Sequence, residues 1–270
     1  MGFFSWLFRR KKERQIKIGL ALGSGGAKGF AELGALKAFE ENGIEFDVIA
    51  GTSIGSIIGA FYAQGYTSTD IFEMLKRIDF GEIANLIMIR MDTSGLHSVI
   101  DRELGSMNIE DLKKPFVTVA TEVETGTEKV FDKGNAAIAL CASSSYPPFF
   151  KPVVIDGERY VDGAFTNAIP ADQVKKMGAD YIVGIDLSTP ENRTSLLMRI
   201  IPTYKTDVEN PSAKGYEFSN VMLHPDLTGY TSVSFRSGSA MYDIGYKHAL
   251  KFIPQIKSDI ETLRHGKMKK

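Results

Sequence analysis

Twice within the first 65 residues, an apolar run of strand length breaks at glycine and gives way to apolar residues at helical spacing. "KIGLAL", Lys17 to Leu22, runs into "GSGGAKG"; Phe30, Leu33, Leu36 and Phe39 then recur until Asn42-Gly43 closes a helix. "FDVIA", Phe46 to Ala50, runs into "GTSIG", Gly51 to Gly55, and a second helix follows to about Gln64, closed by Gly65. Strand, helix, strand, helix in this order predicts an α/β fold, a mostly parallel sheet sandwiched by helices. Gly55, Gly59 and Ala63 fall four apart and leave one face of the second helix nearly bare. Such a face lets a helix come close to its neighbouring strand.

The alternation continues. "FVTVATEV" reads as a strand and "NAAIALCASSS" as a helix. "KPVVIDGERYVDG" holds two short runs around Asp156-Gly157, a hairpin signal. "PADQVKKMG" is a helix with Pro170 at its start, and "DYIVGIDL" is another buried strand. Pro190 to about Asn220 is polar and irregular and reads as a long loop. "VSFRSGSAMYDIGYKHALKFIPQIKSDIETL" returns to helix. No repeat or linker divides the chain. The expectation is a tail over residues 1–15 and a single domain over 16–265: core motifs in 18–186, a long loop at about 190–220, a helical end to 265.

Composition narrows the function classes. At 270 residues, with 43% hydrophobic and 24% charged residues, the chain is that of a soluble globular protein with a sizeable core. A formal net charge of -1 argues against a general nucleic-acid binder. One cysteine, Cys141, excludes an internal disulfide and a cysteine-rich zinc site. No cofactor or metal is expected, and a cytoplasmic setting fits. No apolar run approaches the roughly 18 residues that span a bilayer. The start is unusual: Phe3, Phe4, Trp6, Leu7 and Phe8 precede Arg9, Arg10, Lys11 and Lys12. Aromatic rings at headgroup depth beside cations on anionic lipid would give peripheral contact with the inner membrane surface. A free tail, or aromatics docked on the protein's own core, is the competing reading.

Ser53 lies where the second strand meets its helix, the context of a nucleophile elbow. Side chains at Gly51 or Gly55 would collide with the adjoining strand or helix in such a turn. The helix N-terminus favours negative charge there. The alternative is a serine that only caps the helix. At "GSGGAKG", a Walker loop fails because Lys28 is followed by Gly29, and a dinucleotide fingerprint fails by one residue. An oxyanion hole made by the N–H groups of Gly25 and Gly26 remains, beside a plain tight turn; Lys28 would orient the loop or attract anionic headgroups. The hydroxyl needs a base. His97 and His224 fall in loops, His248 on a helix surface and His265 in the tail, none in a recognisable catalytic setting. Asp162, at a strand end beside Gly163, offers a carboxylate, or is a turn aspartate.

Taken together, Gly25-Gly26-Ala27-Lys28-Gly29, Gly51-Thr52-Ser53-Ile54-Gly55 and Asp162-Gly163-Ala164 resemble, in order and spacing, the motifs of the patatin-like phospholipases. "ATEVETG" and "ASSSYPPFFKPV" are similar to that family's intervening segments. Ser24 and Ala164 stand where many members have glycine. The resemblance covers roughly Ile18 to Asp186 and implies a three-layer α/β/α fold and a serine–aspartate dyad without histidine. Ser53 would attack a lipid ester, Asp162 would accept its proton, and Gly25 and Gly26 would hold the oxyanion. Lys28, Gly51, Gly55 and Gly163 would support the motifs. An aspartate near its ordinary pKa of about 3.9 is a poor neutral base, so Asp162 is expected to be desolvated and close to Ser53. Transfer of the acyl group to an alcohol, or lipid binding without catalysis, would use the same scaffold.

Overall fold

The computed structural model describes residues 14–77, 92–189 and 206–266. Phe3 to Lys12, expected to touch membrane, lie outside the described residues. The strands are β1 (Ile18–Leu22), β2 (Val48–Thr52), β3 (Phe116–Glu122), β4 (Glu128–Phe131), β5 (Val153–Ile155), β6 (Glu158–Asp162), β7 (Tyr181–Ile185) and β8 (Val221–Leu223). The helices are α1 (Phe30–Glu41), α2 (Ile54–Gln64), α3 (Ser68–Arg77), α4 (Ser94–Leu104), α5 (Ala136–Ser143), α6 (Ala171–Lys176), α7 (Ala213–Phe218), α8 (Gly238–Leu250) and α9 (Ile253–Arg264).

The strands form one mixed sheet. β8, β7, β1, β2 and β3 run parallel, and β4, β5 and β6 pair antiparallel at its far end. β1, β2 and β7 are buried along their whole length, as a sheet covered on both faces requires. Side chains of β1, β2, β3 and β7 alternate between two cores. Leu20, Leu22, Ile49, Phe116, Val183 and Ile185 face the larger one, which α1, α2 and α8 complete. Ala21, Val48, Ala50, Val117 and Ile182 face the smaller, closed by Val174 of α6 and Phe218 of α7. This is the expected three-layer α/β/α arrangement.

Two readings need correction. The stretch at about 190–220 is not one loop: residues 190–205 are outside the described residues, but α7 lies within the remainder. α7 is too short for a readable apolar period. It is set by tertiary contact: Gly215 sits where a Cβ would fall 2.6 Å from Ile169, and Lys214 pairs with Glu128 of β4. His97 is not in a loop but on α4. The C-terminal helical stretch divides into α8 and α9 at Lys251-Phe252, with Pro254 in the first turn of α9.

Candidate active site

The sheet register brings the two expected dyad residues together. Val119 pairs with Thr52 and with Val130; Ala120 pairs with Asp162 and with Lys129. A strand has two edges. β2 and β6 therefore lie along the same edge of β3, opposite β4, and run toward each other head to head. Thr52 and Asp162 pair with consecutive residues of β3, a step of about 3.3 Å. The chain turns away after each: into α2 at Ser53, into a short 3-10 turn, Gly163–Phe165, after Asp162. Gly163 permits the meeting, since a Cβ there would stand 2.3 Å from the Val119 carbonyl oxygen and 3.0 Å from the Thr52 methyl.

Ser53 has φ 57 and ψ -125, a conformation few side-chain-bearing residues adopt. Tight packing imposes it. A Cβ on Gly51 would meet the Gly55 carbonyl oxygen at 2.3 Å, and one on Gly55 would meet the Leu22 and Gly23 carbonyl oxygens at 2.6 Å. The bare face of α2 thus lies against β2 and the end of β1. The Ser53 N–H donates to Ser143 Oγ (2.9 Å), and its carbonyl accepts from Ser56 N–H (2.9 Å) and the Ser56 hydroxyl (2.6 Å). Ser53 does not cap α2 with its side chain.

Asp162 is 1% exposed. Oδ1 accepts the Ala164 N–H at 2.9 Å; Oδ2 is buried with no hydrogen-bond partner among the described residues. Loss of water pushes its pKa up to about 7, against the lowering pull of the Ala164 N–H and of the Ser53 hydroxyl. The Ser53 hydroxyl is therefore near enough to act on the carboxyl, yet makes no hydrogen bond of full geometry with Oδ2. Adjacent but unlocked groups are common before substrate arrives. Tyr146 stacks on Phe165 (centroids 5.1 Å, planes 11° apart) beside this carboxyl. Burial, and then the Asp162 charge, push the Tyr146 hydroxyl up to about 12.

The glycine loop lies at the same end of the sheet. Leu22 pairs with Gly51, so Gly23 and Ser24 stand level with Thr52 and Ser53. Ser24 N–H donates to the Ala168 carbonyl and Ala27 N–H to that of Ser232. The N–H groups of Gly25 and Gly26 have no acceptor among the described residues, which leaves them available to an anion. Gly26 has φ 56, and a Cβ there would fall 2.5 Å from the Ser232 carbonyl oxygen. Lys28 is fully buried and its ammonium donates to Thr189 Oγ1 at 3.3 Å. It ties down the loop and is not placed to attract headgroups.

Three supports escaped the sequence reading. Glu32, fully buried on α1, accepts the Gly23 N–H at 2.7 Å through Oε1, while burial raises its pKa well above the carboxylate range. Asn167 joins both halves of the site: its N–H donates to the Gly163 carbonyl (2.8 Å), and its carbonyl accepts the Thr52 hydroxyl (2.8 Å). Ser143 Oγ accepts the Ser53 N–H. A serine, an asparagine or a glutamate inside an apolar pattern carries no signal of such partners until the fold supplies them. The histidines are engaged elsewhere. His224 Nε2 meets the Ser188 carbonyl, His248 Nε2 accepts the His224 N–H, His265 pairs with Glu261, and His97 sits on α4.

Residues 20–175 match the family described as patatin-like phospholipase, more than half of the chain. The chain belongs to the patatin-like phospholipase family. Lysophospholipase NTE1 of Meyerozyma guilliermondii is 26% identical over 89% of this chain and 19% of that protein. Lysophospholipase nte1 of Aspergillus fumigatus is also 26% identical, over 96% of this chain and 19% of that protein. The chain thus spans about a fifth of the length of these relatives. VipD from Legionella pneumophila shares the fold, with TM-score 0.53 at 15% identity over 90% of this chain and 68% of that one. Among the described residues, no helix is long and apolar enough to cross a membrane.

Proposed function

We propose that this protein hydrolyses fatty acyl esters of lysophospholipids or related lipids through an acyl-enzyme on Ser53, with Asp162 as general base. The observation that carries the reading is the desolvated Asp162 carboxyl, its Oδ2 without a hydrogen-bond partner among the described residues, at the head-to-head meeting with Ser53. A carboxylate of ordinary pKa would be too weak a base; one held near 7 is matched to neutral catalysis. The relatives named lysophospholipase support the substrate class.

Ser53 Oγ attacks the ester carbonyl as its proton passes to Asp162 Oδ2. The carbonyl oxygen, now an anion, is received by the N–H groups of Gly25 and Gly26 and by the positive end of α2. The carbon–oxygen bond to the leaving alcohol breaks, and the alcohol departs with the proton from Asp162. Water then attacks the acyl-serine, gives a proton to Asp162, and releases the fatty acid. Ser53 recovers its proton as the acyl bond breaks. Buried Glu32 and Lys28 hold the loop that presents the amides.

Ser53→Ala and Asp162→Asn are each expected to lower lysophospholipid hydrolysis by at least about a thousandfold, with circular dichroism unchanged. A fluorophosphonate should label the wild type and not Ser53→Ala. Labelling that survives Ser53→Ala, or activity that survives Asp162→Asn, would overturn the assignment; no labelling and no hydrolysis by wild type would indicate a lipid binder on this scaffold.

A further inference from the structure

The turn Ser143-Ser144-Ser145 that ends α5 touches both halves of the dyad. Ser143 Oγ accepts the Ser53 N–H at 2.9 Å, and two residues on the Ser145 carbonyl accepts the Asp162 N–H at 3.1 Å. The Ser145 hydroxyl bonds back to the Cys141 carbonyl at 2.7 Å and so locks the turn to its helix. All of this is inside the protein: Ser143 and Ser145 are 0% exposed. No β-sheet bond joins Ser53 to Asp162 directly, because β2 and β6 end where they meet. The turn spans the gap at Ser53 and Asp162 themselves, beside the bridge that Asn167 makes between Thr52 and Gly163.

We propose that this turn sets the spacing of the dyad and that Ser143 is a positioning residue for the nucleophile, a role that rests on the Ser53–Asp162 reading. The physical reason is the strained backbone of Ser53. Ser53, at φ 57, is the N-cap of α2, so its N–H has no helical acceptor. Ser143 satisfies it, while Ser56 and Ile57 hold the carbonyl on the other side. With both ends of the residue fixed, the Cα–Cβ bond has one direction and Oγ is delivered toward Asp162. Without the Ser143 hydroxyl, a buried N–H is left unsatisfied, and the strained conformation loses a support that favoured it over its relaxed alternatives.

The test compares Ser143→Thr with Ser143→Val. Both add the same volume, but only threonine keeps the hydroxyl. Ser143→Thr should retain kcat within about threefold; Ser143→Val should lose about ten- to a hundredfold in kcat with KM within about twofold. The fluorophosphonate labelling rate should fall in parallel, and the midpoint of the pH profile should stay put because Asp162 is untouched. Equal kcat for the two variants, or a loss confined to KM, would overturn the clamp. Ser143→Ala adds no volume and gives the same reading should the larger side chains prevent folding: unchanged kcat refutes the proposal. An inactive wild type would instead refute the hydrolase reading. Active wild type, dead Ser53→Ala and normal Ser143 variants would refute the clamp alone.

Discussion

Asp162 holds its proton more tightly in the folded protein than in the unfolded chain, and this has consequences for both activity and stability. With the folded pKa raised from 3.8 to about 7, protonation favours folding. That benefit is fully present below about pH 3.8 and is lost as pH rises through about 7. Above it, the buried carboxylate costs on the order of 4 kcal/mol relative to a solvated one. Asp162→Asn removes the ionisation, so urea unfolding should show the variant gaining on wild type between about pH 4 and about pH 7 and holding a constant advantage above that; a constant difference throughout would mean the carboxyl is solvated. Ser53 stores strain of another kind. Ser53→Gly should be inactive yet more stable than Ser53→Ala by about 1 kcal/mol, since glycine adopts the left-handed conformation freely. Equal thermal midpoints would deny the strain.

The turns after β1 and β2 were legible because their glycines leave a mark in the sequence at fixed spacing. The bare face of α2 was legible for the same reason: it is written as Gly55, Gly59 and Ala63. The packed result adds what spacing alone does not give, that Gly55 backs directly onto the loop holding Gly25 and Gly26. Gly55→Ala is therefore expected to lower stability by about 1–3 kcal/mol and to reduce kcat, read by urea midpoint and turnover together. Loss of stability with unchanged kcat would separate α2 from the loop proposed to hold the oxyanion. Gly26→Ala should cost about a hundred- to a thousandfold in kcat, because its Cβ meets Ser232 and its φ is left-handed. α7 and β4 were not legible. Each is short, and each is held by distant partners, Lys214 with Glu128 and Gln173 with Glu128, that no local pattern announces.

Across the whole molecule, the mixed sheet is what makes the site. A purely parallel sheet would carry Ser53 and a base on neighbouring strand ends. Here the hairpin β5–β6 turns back along the edge of β3 and presents Asp162 from the opposite direction. The sequence showed the hairpin as two short runs around Asp156-Gly157, but its lane in the sheet depends on pairing with β3 some 40 residues away, which only the fold decides. The tail from Phe3 to Lys12 is proposed to hold the protein on anionic lipid. Removing residues 1–10 should weaken binding to phosphatidylserine vesicles while leaving hydrolysis of a soluble short-chain ester unchanged. Vesicle binding equal to that of the full chain would end that assignment.

The pairing of Ser53 with a buried carboxylate base is tested most directly by the pH dependence of fluorophosphonate labelling at Ser53, in wild type and in Asp162→Asn. The wild-type rate should rise with pH to a plateau with a midpoint near pH 7, and Asp162→Asn should label at least about a hundredfold more slowly than that plateau and show no rise near pH 7. A wild-type rate already on its plateau at about pH 5, or an Asp162→Asn rate equal to wild type, would contradict it.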